Sequence, residues 1–231
     1  MRIRPHDYIT QATLFAALFP MNCYLVKEDD GLTLVDTTIG LGAPRLARII
    51  QASGKPLRRI ALTHVHADHV GGLDGLKAVF PDVQVLVPAR SVPFLNGDLA
   101  VLVGEDPSPV KGRFVNVATT PDVLLADGDR VGSLRVIASP GHSPDSVSLQ
   151  DERTGALICG DAFQTRGGLA VSGDSRWVFP FVAAATWSRA TALASAKQLL
   201  SLQPTALMPG HGDILEQPYS AMKGAISRVS A

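Results

Sequence analysis

Five of the six histidines fall in three short turn segments, and this clustering constrains the fold more than any other feature of the chain. Three of them lie in Thr63–His69, and His142 and His211 each follow a Pro-Gly pair. Each segment comes directly after a strand-like run, the usual position of a site in α/β proteins. The pattern predicts an α/β fold in which several strand ends supply ligands. His6 stands outside the pattern and is interpreted as an ordinary surface residue.

The spacing within the first of these segments suits a metal site. His64 and His66 are two residues apart on extended backbone and therefore project to the same side. Asp68 and His69 follow as the backbone turns, and Asp161 follows another predicted strand. Imidazole nitrogens and carboxylate oxygens are ligands that suit zinc, iron or manganese. The candidate metal ligands are His64, His66, Asp68, His69, His142, Asp161 and His211.

Hydrophobic periodicity predicts strands alternating with helices in the first half of the chain. These are strands at 22–27, 32–36, 59–63 and 83–87, with helices beginning at Pro44 and Leu73. Four closely spaced runs at 123–125, 133–138, 146–149 and 156–159 predict a second sheet. Towards the C-terminus we predict a helix from Trp187 to Leu202 capped by Thr186, a strand at 205–208 and a helix near 219–229.

Charge and composition exclude several kinds of partner. The 21 basic and 21 acidic residues balance, so the electrostatic footprint of a nucleic-acid-binding protein is missing. The longest apolar run near the N-terminus, residues 12–21, is shorter than the roughly 20 residues that a membrane span needs. Cys23 and Cys159 could form at most one bridge, which favours a reducing compartment. We therefore expect a cytoplasmic protein with no nucleic-acid partner and no membrane partner.

The order and spacing of the candidate ligands resemble those of the metallo-β-lactamase-fold hydrolase superfamily. Its hallmark is a His-x-His-x-Asp-His segment followed at long intervals by His, Asp and His, and the chain matches all of it. Residues 22–26 and 34–37 also resemble the opening hairpin of that family. The resemblance implies an αββα sandwich of two mixed β-sheets flanked by helices. Because the matched ligands run from 64 to 211, it also implies a single domain over residues 1–231.

The same resemblance implies a role for each ligand. One metal ion would be held by His64, His66 and His142, a second by Asp68, His69 and His211, and Asp161 would bridge the two. The metals are expected to be zinc, with iron or manganese as alternatives. A hydroxide bridging them would cleave an ester-type bond such as that of a lactone or thioester in a small-molecule substrate. Asp68 would be catalytic as a proton shuttle. Asp36 either orients a ligand histidine or caps a turn.

The reaction itself stays open between several members of this superfamily. Many acyl-homoserine lactonases carry a tyrosine where this chain has Gln164, and glyoxalase II enzymes usually have a helical domain where only residues 212–231 remain. The alternative is a mononuclear iron enzyme of the persulfide or thiol dioxygenase type, which residues 161–167 faintly resemble. A phosphodiesterase or nuclease is disfavoured by the neutral charge. A metal-binding scaffold without turnover is a further alternative.

Two segments are expected to form the rim of the site, near 88–121 and 163–185. The aromatic and apolar residues that would line this rim are Phe94, Leu95, Phe163, Trp177, Phe179 and Phe181. An apolar wall favours an uncharged acyl or lactone substrate. The period-two spacing of the aromatics at 177–181 equally fits a core strand or a homodimer contact. Arg166 and Arg176 could hold a substrate carboxylate, or they could be solvated loop charges.

Overall fold

Strands and helices alternate through most of the chain, which a computed structural model describes over residues 1–230. The strands are β1 (Arg2–His6), β2 (Ile9–Leu14), β3 (Met21–Glu28), β4 (Gly31–Val35), β5 (Leu57–Ala61), β6 (Gln84–Pro88), β7 (Val123–Leu125), β8 (Arg130–Val131), β9 (Leu134–Ala138), β10 (Val147–Asp151), β11 (Leu157–Gly160), β12 (Phe163–Gln164), β13 (Ala170–Val171), β14 (Ala206–Pro209) and β15 (Leu215–Glu216). The α-helices are α1 (Ala43–Ala52), α2 (Ala67–Val70), α3 (Leu73–Val79), α4 (Ser91–Leu95), α5 (Phe181–Ala185), α6 (Arg189–Ser201) and α7 (Tyr219–Ser230). No helix within residues 1–230 is long and apolar enough to cross a membrane.

The strands form two mixed sheets. Strands β1 to β7 lie in chain order in the first sheet, antiparallel as far as β4 and parallel from β4 to β7. The second sheet has the order β15-β14-β11-β10-β9-β8, in which only β11 and β14 are parallel. A separate short hairpin joins β12 and β13. This architecture confirms the predicted sandwich of two mixed sheets.

Alternating side chains explain why the two sheets stack and why helices cover them. Along β3, Leu25 packs in the cluster that includes the apolar faces of α1 and α3. Its neighbours Tyr24 and Val26 point the other way and pack against the second sheet. On the far side of the second sheet, Leu157 and Leu207 pack against α6 and α7. The apolar layers therefore run helix, sheet, sheet, helix, in agreement with the predicted αββα order.

Two features of the strands differ from the sequence-based expectation. The sequence does not predict the hairpin of β1 and β2, because β1 is almost entirely exposed and shows no apolar alternation. The run Val123–Leu125 is predicted in the second sheet, but β7 pairs parallel with β6 in the first. The long segment between β6 and β7 contains one α-helix, α4. It leads the chain back to the edge of the first sheet.

The helix predicted from Trp187 begins two residues later. Ser188 caps α6, since its side-chain oxygen accepts a hydrogen bond from the backbone N–H of Thr191. Thr186, the predicted cap, instead donates its hydroxyl to the Val182 carbonyl oxygen at 2.7 Å. The correction matters for the site, because it leaves Thr186 buried beside a candidate ligand.

Candidate metal centre

Four turns bring the predicted ligands to one edge of the two sheets. The ligands lie after β5 (His64, His66, Asp68 and His69), after β9 (His142), after β11 (Asp161) and after β14 (His211). Strands β9, β11 and β14 run in the same direction, since β9 and β11 both pair antiparallel with β10 and β11 pairs parallel with β14. Their carboxyl ends therefore open on a common edge.

The seven side chains form two neighbouring groups, joined by one carboxylate. His64, His66 and His142, named here the three-His group, offer ligand atoms within 4.8 Å of one another, and so do Asp68, His69 and His211, the Asp-His group. Asp161 Oδ2 lies 3.3 Å from His142 Nε2 and 3.2 Å from His211 Nε2. Asp161 thus touches one member of each group, as expected of a bridging ligand.

Each of the five histidines has one ring nitrogen facing the centre and the other held by the protein. The outward contacts are His64 Nδ1 to Thr63 Oγ1 (3.1 Å), His66 Nε2 to the Lys111 carbonyl (2.9 Å), His69 Nδ1 to Asp36 Oδ2 (2.8 Å), His142 Nδ1 to Ser172 Oγ (3.0 Å) and His211 Nδ1 to the Pro20 carbonyl (2.6 Å). A carbonyl can only accept, so His66 and His211 donate outwards, and in the neutral form of each ring the lone pair is then on the inward nitrogen. That is the tautomer a metal ion requires.

Three buried polar atoms at the centre have no hydrogen-bond partner within residues 1–230. These are His64 Nε2, His69 Nε2 and Asp161 Oδ1. Buried polar atoms are normally satisfied, and leaving one unpaired costs about 1–3 kcal/mol. The unpaired atoms face the same space as the other inward nitrogens, and all are nitrogen or carboxylate donors. The donor set therefore fits two metal ions.

The two groups differ in electrostatics. Burial lowers the pKa of His64 and His66, and it lowers the pKa of His142 to about 3, so these imidazoles are neutral. Burial acts the same way on His211, but the carboxylates of Asp161 and Asp68 outweigh it and raise its pKa to about 10. The pKa of His69 is raised likewise, above all by Asp161 and Asp36. Negative charge is thus concentrated around the Asp-His group.

Asp36 orients a ligand rather than merely capping a turn. Its carboxylate accepts hydrogen bonds from the backbone N–H and the hydroxyl of Thr63, both at 2.8 Å, and from His69 Nδ1. Asp36 is 2 % exposed and adopts a left-handed backbone with φ of 60°. It therefore ties the end of β4 to the turn after β5 and fixes the His69 ring.

The centre lies at the floor of a cavity of about 490 Å³. Its apolar wall consists of Phe19, Met21, Ile39, Phe181, Val182, Ala184 and Ala185, and Gly112 and Arg113 close another side. Asp68, with a side chain 24 % exposed, is the more accessible of the two carboxylates, since that of Asp161 is 3 % exposed. A substrate in this cavity would therefore meet the ligands on one side and hydrocarbon on the other.

Most residues predicted for the rim lie elsewhere. Phe94 and Phe163 are buried in the core, and Trp177 is 96 % exposed and does not line the cavity. Phe179 is buried against the ring of His211, and Phe181 alone of the predicted set lines the wall. The alternation at 177–181 is therefore neither a core strand nor a continuous rim, because α5 begins at Phe181.

The other candidate side chains serve the structure. Arg166 donates to the Ala17 carbonyl, and Arg176 donates to the Leu169 carbonyl at 2.7 Å. Gln164 is buried in β12, and His6 contacts Glu216 at the surface. Apart from Asp36, the sequence does not predict the outward partners of the candidate ligands. Lys111 and Pro20 contribute only backbone carbonyls, and Ser172 and Thr186 are ordinary hydroxyl residues far along the chain.

A family model described as the metallo-beta-lactamase superfamily matches residues 17–211, the range that holds the whole centre. The chain belongs to the metallo-beta-lactamase superfamily. Solved structures agree with this metallo-beta-lactamase fold: DIM-1 metallo-beta-lactamase superposes with a TM-score of 0.75 at 17% identity, covering 99% of this chain and 96% of that one.

Other proteins are more similar to this chain in sequence. The uncharacterized protein YobT of Bacillus subtilis (strain 168) is 44% identical over 99% of this chain and 98% of its own length. TTHA1623, solved in a di-iron-bound form, has a TM-score of 0.67 and 28% identity and covers 91% of this chain and 96% of its own. A hydroxyacylglutathione hydrolase of Legionella pneumophila (strain Corby) is 30% identical over 55% of this chain, a stretch equal to 42% of that enzyme.

Proposed function

We propose that this protein is a dinuclear metallo-hydrolase that cleaves an ester-type bond, such as that of a lactone or thioester, in a small and largely apolar substrate. The observation that carries the proposal is the convergence of seven nitrogen and carboxylate donors, five of which line an apolar cavity. Apolar walls with a few convergent polar groups are typical of small-molecule sites. The relatives support the class, because one is a hydroxyacylglutathione hydrolase and another a probable metallo-hydrolase.

Zinc is the proposed metal, with iron and manganese as alternatives. Mixed imidazole and carboxylate donors suit all three ions, and the di-iron form of TTHA1623 keeps iron in consideration. Two bound cations would supply Lewis-acid polarisation of the substrate carbonyl and a water activated at neutral pH.

The chain's own residues position the reaction. The wall formed by Phe19, Ile39 and Phe181 excludes water from the acyl part of the substrate and holds its carbonyl over the ligands. Asp68, at the boundary between the centre and the open cavity, is placed to pass a proton to the leaving group. Asp161 lies deeper and holds the two groups together.

The test is metal analysis of protein purified without chelator, followed by assays on matched lactones and thioesters. About two zinc ions per chain and hydrolysis that is abolished by chelation and restored by zinc are the expected results. About one iron per chain, with oxygen consumed on a thiol or persulfide, would replace this proposal by the dioxygenase alternative. Full metal loading with no turnover on either panel would favour a binding scaffold.

A further inference from the structure

The outward side of His66 packs against one stretch of the first rim segment, residues 111–114. The Lys111 carbonyl accepts from His66 Nε2 at 2.9 Å, and the Phe114 ring packs edge-on at 5.0 Å from the His66 ring. Between them, Gly112 lies so close that a Cβ there would overlap the imidazole, and its φ is +99°. The Arg113 carbonyl accepts from the Ala67 N–H at 2.7 Å and anchors the stretch beside α2.

The outward side of His142 is held by a chain of two hydroxyls, from Ser172 in the second rim segment and from Thr186 directly after it. His142 Nδ1 lies 3.0 Å from Ser172 Oγ, which lies 2.9 Å from Thr186 Oγ1. Thr186 donates its only hydroxyl proton to the Val182 carbonyl in α5. The Ser172 proton therefore goes to Thr186, and Ser172 accepts from His142, whose inward nitrogen is left with its lone pair.

The other three histidines are supported by the first sheet and its turns. His64 and His69 contact Thr63 and Asp36, which follow β5 and β4, and His211 contacts the carbonyl of Pro20, directly before β3. Two of the three ligands of the three-His group therefore depend on the rim, whereas both histidines of the Asp-His group are tied to the sheet.

Some residues of these two supports also line the cavity. Gly112 and Arg113 form one side of it, and Val182, whose carbonyl ends the hydroxyl chain, lies in the apolar wall. We infer that residues 111–114 and the Ser172-Thr186 pair are positioning elements for His66 and His142. The substrate wall and the coordination of one metal ion are thus a single structural unit. Changes at residues 111–114, Ser172 and Thr186 will weaken metal binding at the three-His group and spare the Asp-His group.

The first test removes the hydroxyl chain. The Ser172→Ala/Thr186→Val double variant should bind metal at the three-His group about 10- to 100-fold more weakly, the usual effect of losing a ligand's outer partner. Metal-free protein is titrated with Co²⁺ or with Zn²⁺ against a chromophoric chelator, and two affinities are fitted. The single variant Thr186→Ser keeps the hydroxyl at this position and should bind metal with wild-type affinity. Thr33→Val is the matched control, since Thr33 is buried and its hydroxyl has no partner within residues 1–230.

The second test changes the backbone that contacts His66, at Gly112. Gly112→Ala should displace the His66 ring and weaken the same site. Gly104→Ala is matched to it, because Gly104 lies in the same segment with φ of +92° but has nothing within 4 Å of a new Cβ. Strain from a left-handed alanine is common to both, so the difference between the variants reports contact with His66.

Reference spectra identify which site is affected. The Co²⁺ absorption of His142→Ala and of His211→Ala gives the signature of losing each group. The inference holds if the rim variants reproduce the His142→Ala signature while their metal-free melting temperatures match those of the controls. It is overturned if the rim variants bind both ions as the wild type does, or if both affinities fall equally. Neither outcome depends on hydrolysis, so the proposed reaction can fail while this inference stands.

Discussion

The two halves of the metal centre are built on different principles. The Asp-His group is charged and is fixed to the first sheet through Asp36, whereas the three-His group is uncharged and two of its histidines are oriented by loop residues next to the cavity wall. A sheet-bound site keeps its geometry regardless of what the loops do. We therefore expect substitutions at residues 111–114, Ser172 and Thr186 to disturb the three-His group more than the Asp-His group.

Removing the carboxylate that joins the halves should have the largest effect. Asp161→Ala leaves both groups without their shared ligand, so we expect loss of metal from both and hydrolysis lower by about 100-fold or more. Metal atoms per chain and initial rates are the measurements. His6→Ala, which changes a surface contact with Glu216, is the control and should keep its metal content. An Asp161→Ala protein with full activity would eliminate the bridging role.

Asp36→Asn should weaken the Asp-His group more than the three-His group. It removes the carboxylate that holds His69 directly, so affinity at the Asp-His group should fall by about 10- to 100-fold, and affinity at the three-His group, which Asp36 reaches only through Thr63 and His64, should fall less. The two-site titration measures both constants. Because Asp36 also accepts two hydrogen bonds from Thr63, the melting temperature of the metal-free protein should fall as well. Selective loss at the three-His group instead would contradict the assignment of Asp36 to the sheet-bound half.

Gly210→Ala should act at the same half with a smaller effect. A Cβ at Gly210 would overlap Asp161 and lie 2.7 Å from His69 Cε1, although the backbone there is not left-handed. Asp161 and His69 are both buried and cannot move freely away from the new Cβ, so we expect weaker metal binding at the Asp-His group. Gly224→Ala in α7, where a Cβ has nothing within 4 Å, is the control and should bind metal normally. Equal metal content in the two variants would show that the centre absorbs the overlap.

The same division explains which features the sequence predicts. The candidate ligands are chemically distinctive residues at strand ends, so their types and spacing are enough to predict that they come together. Asp36 is also visible, because it is an acidic residue after a strand. The residues that hold His66 and His142 cannot be recognised in this way. Lys111 contributes its backbone carbonyl, which every residue type has, and Ser172 lies 30 residues from His142. Similarly, the aromatics at 177–181 mislead because a turn and α5 divide them among solvent, core and cavity.

The smallest predicted effect concerns the cavity wall itself. Phe181 is half-exposed, contacts the Phe19 and Phe179 rings, and lines the cavity near the Asp-His group, so Phe181→Ala removes apolar contact without touching a ligand. Truncating such a contact is worth about 1 kcal/mol, or roughly fivefold in kcat/KM, for a substrate with a long acyl chain, and less for an acetyl ester. Trp177 is almost fully exposed and lies outside the cavity, so Trp177→Ala should leave kcat/KM unchanged for both kinds of substrate. Comparing hexanoyl and acetyl esters of one leaving group measures the effect. If both esters lose rate equally, Phe181 acts on the metal centre and not on the acyl chain of the substrate. The Asp-His group would then also depend on residues of the cavity wall.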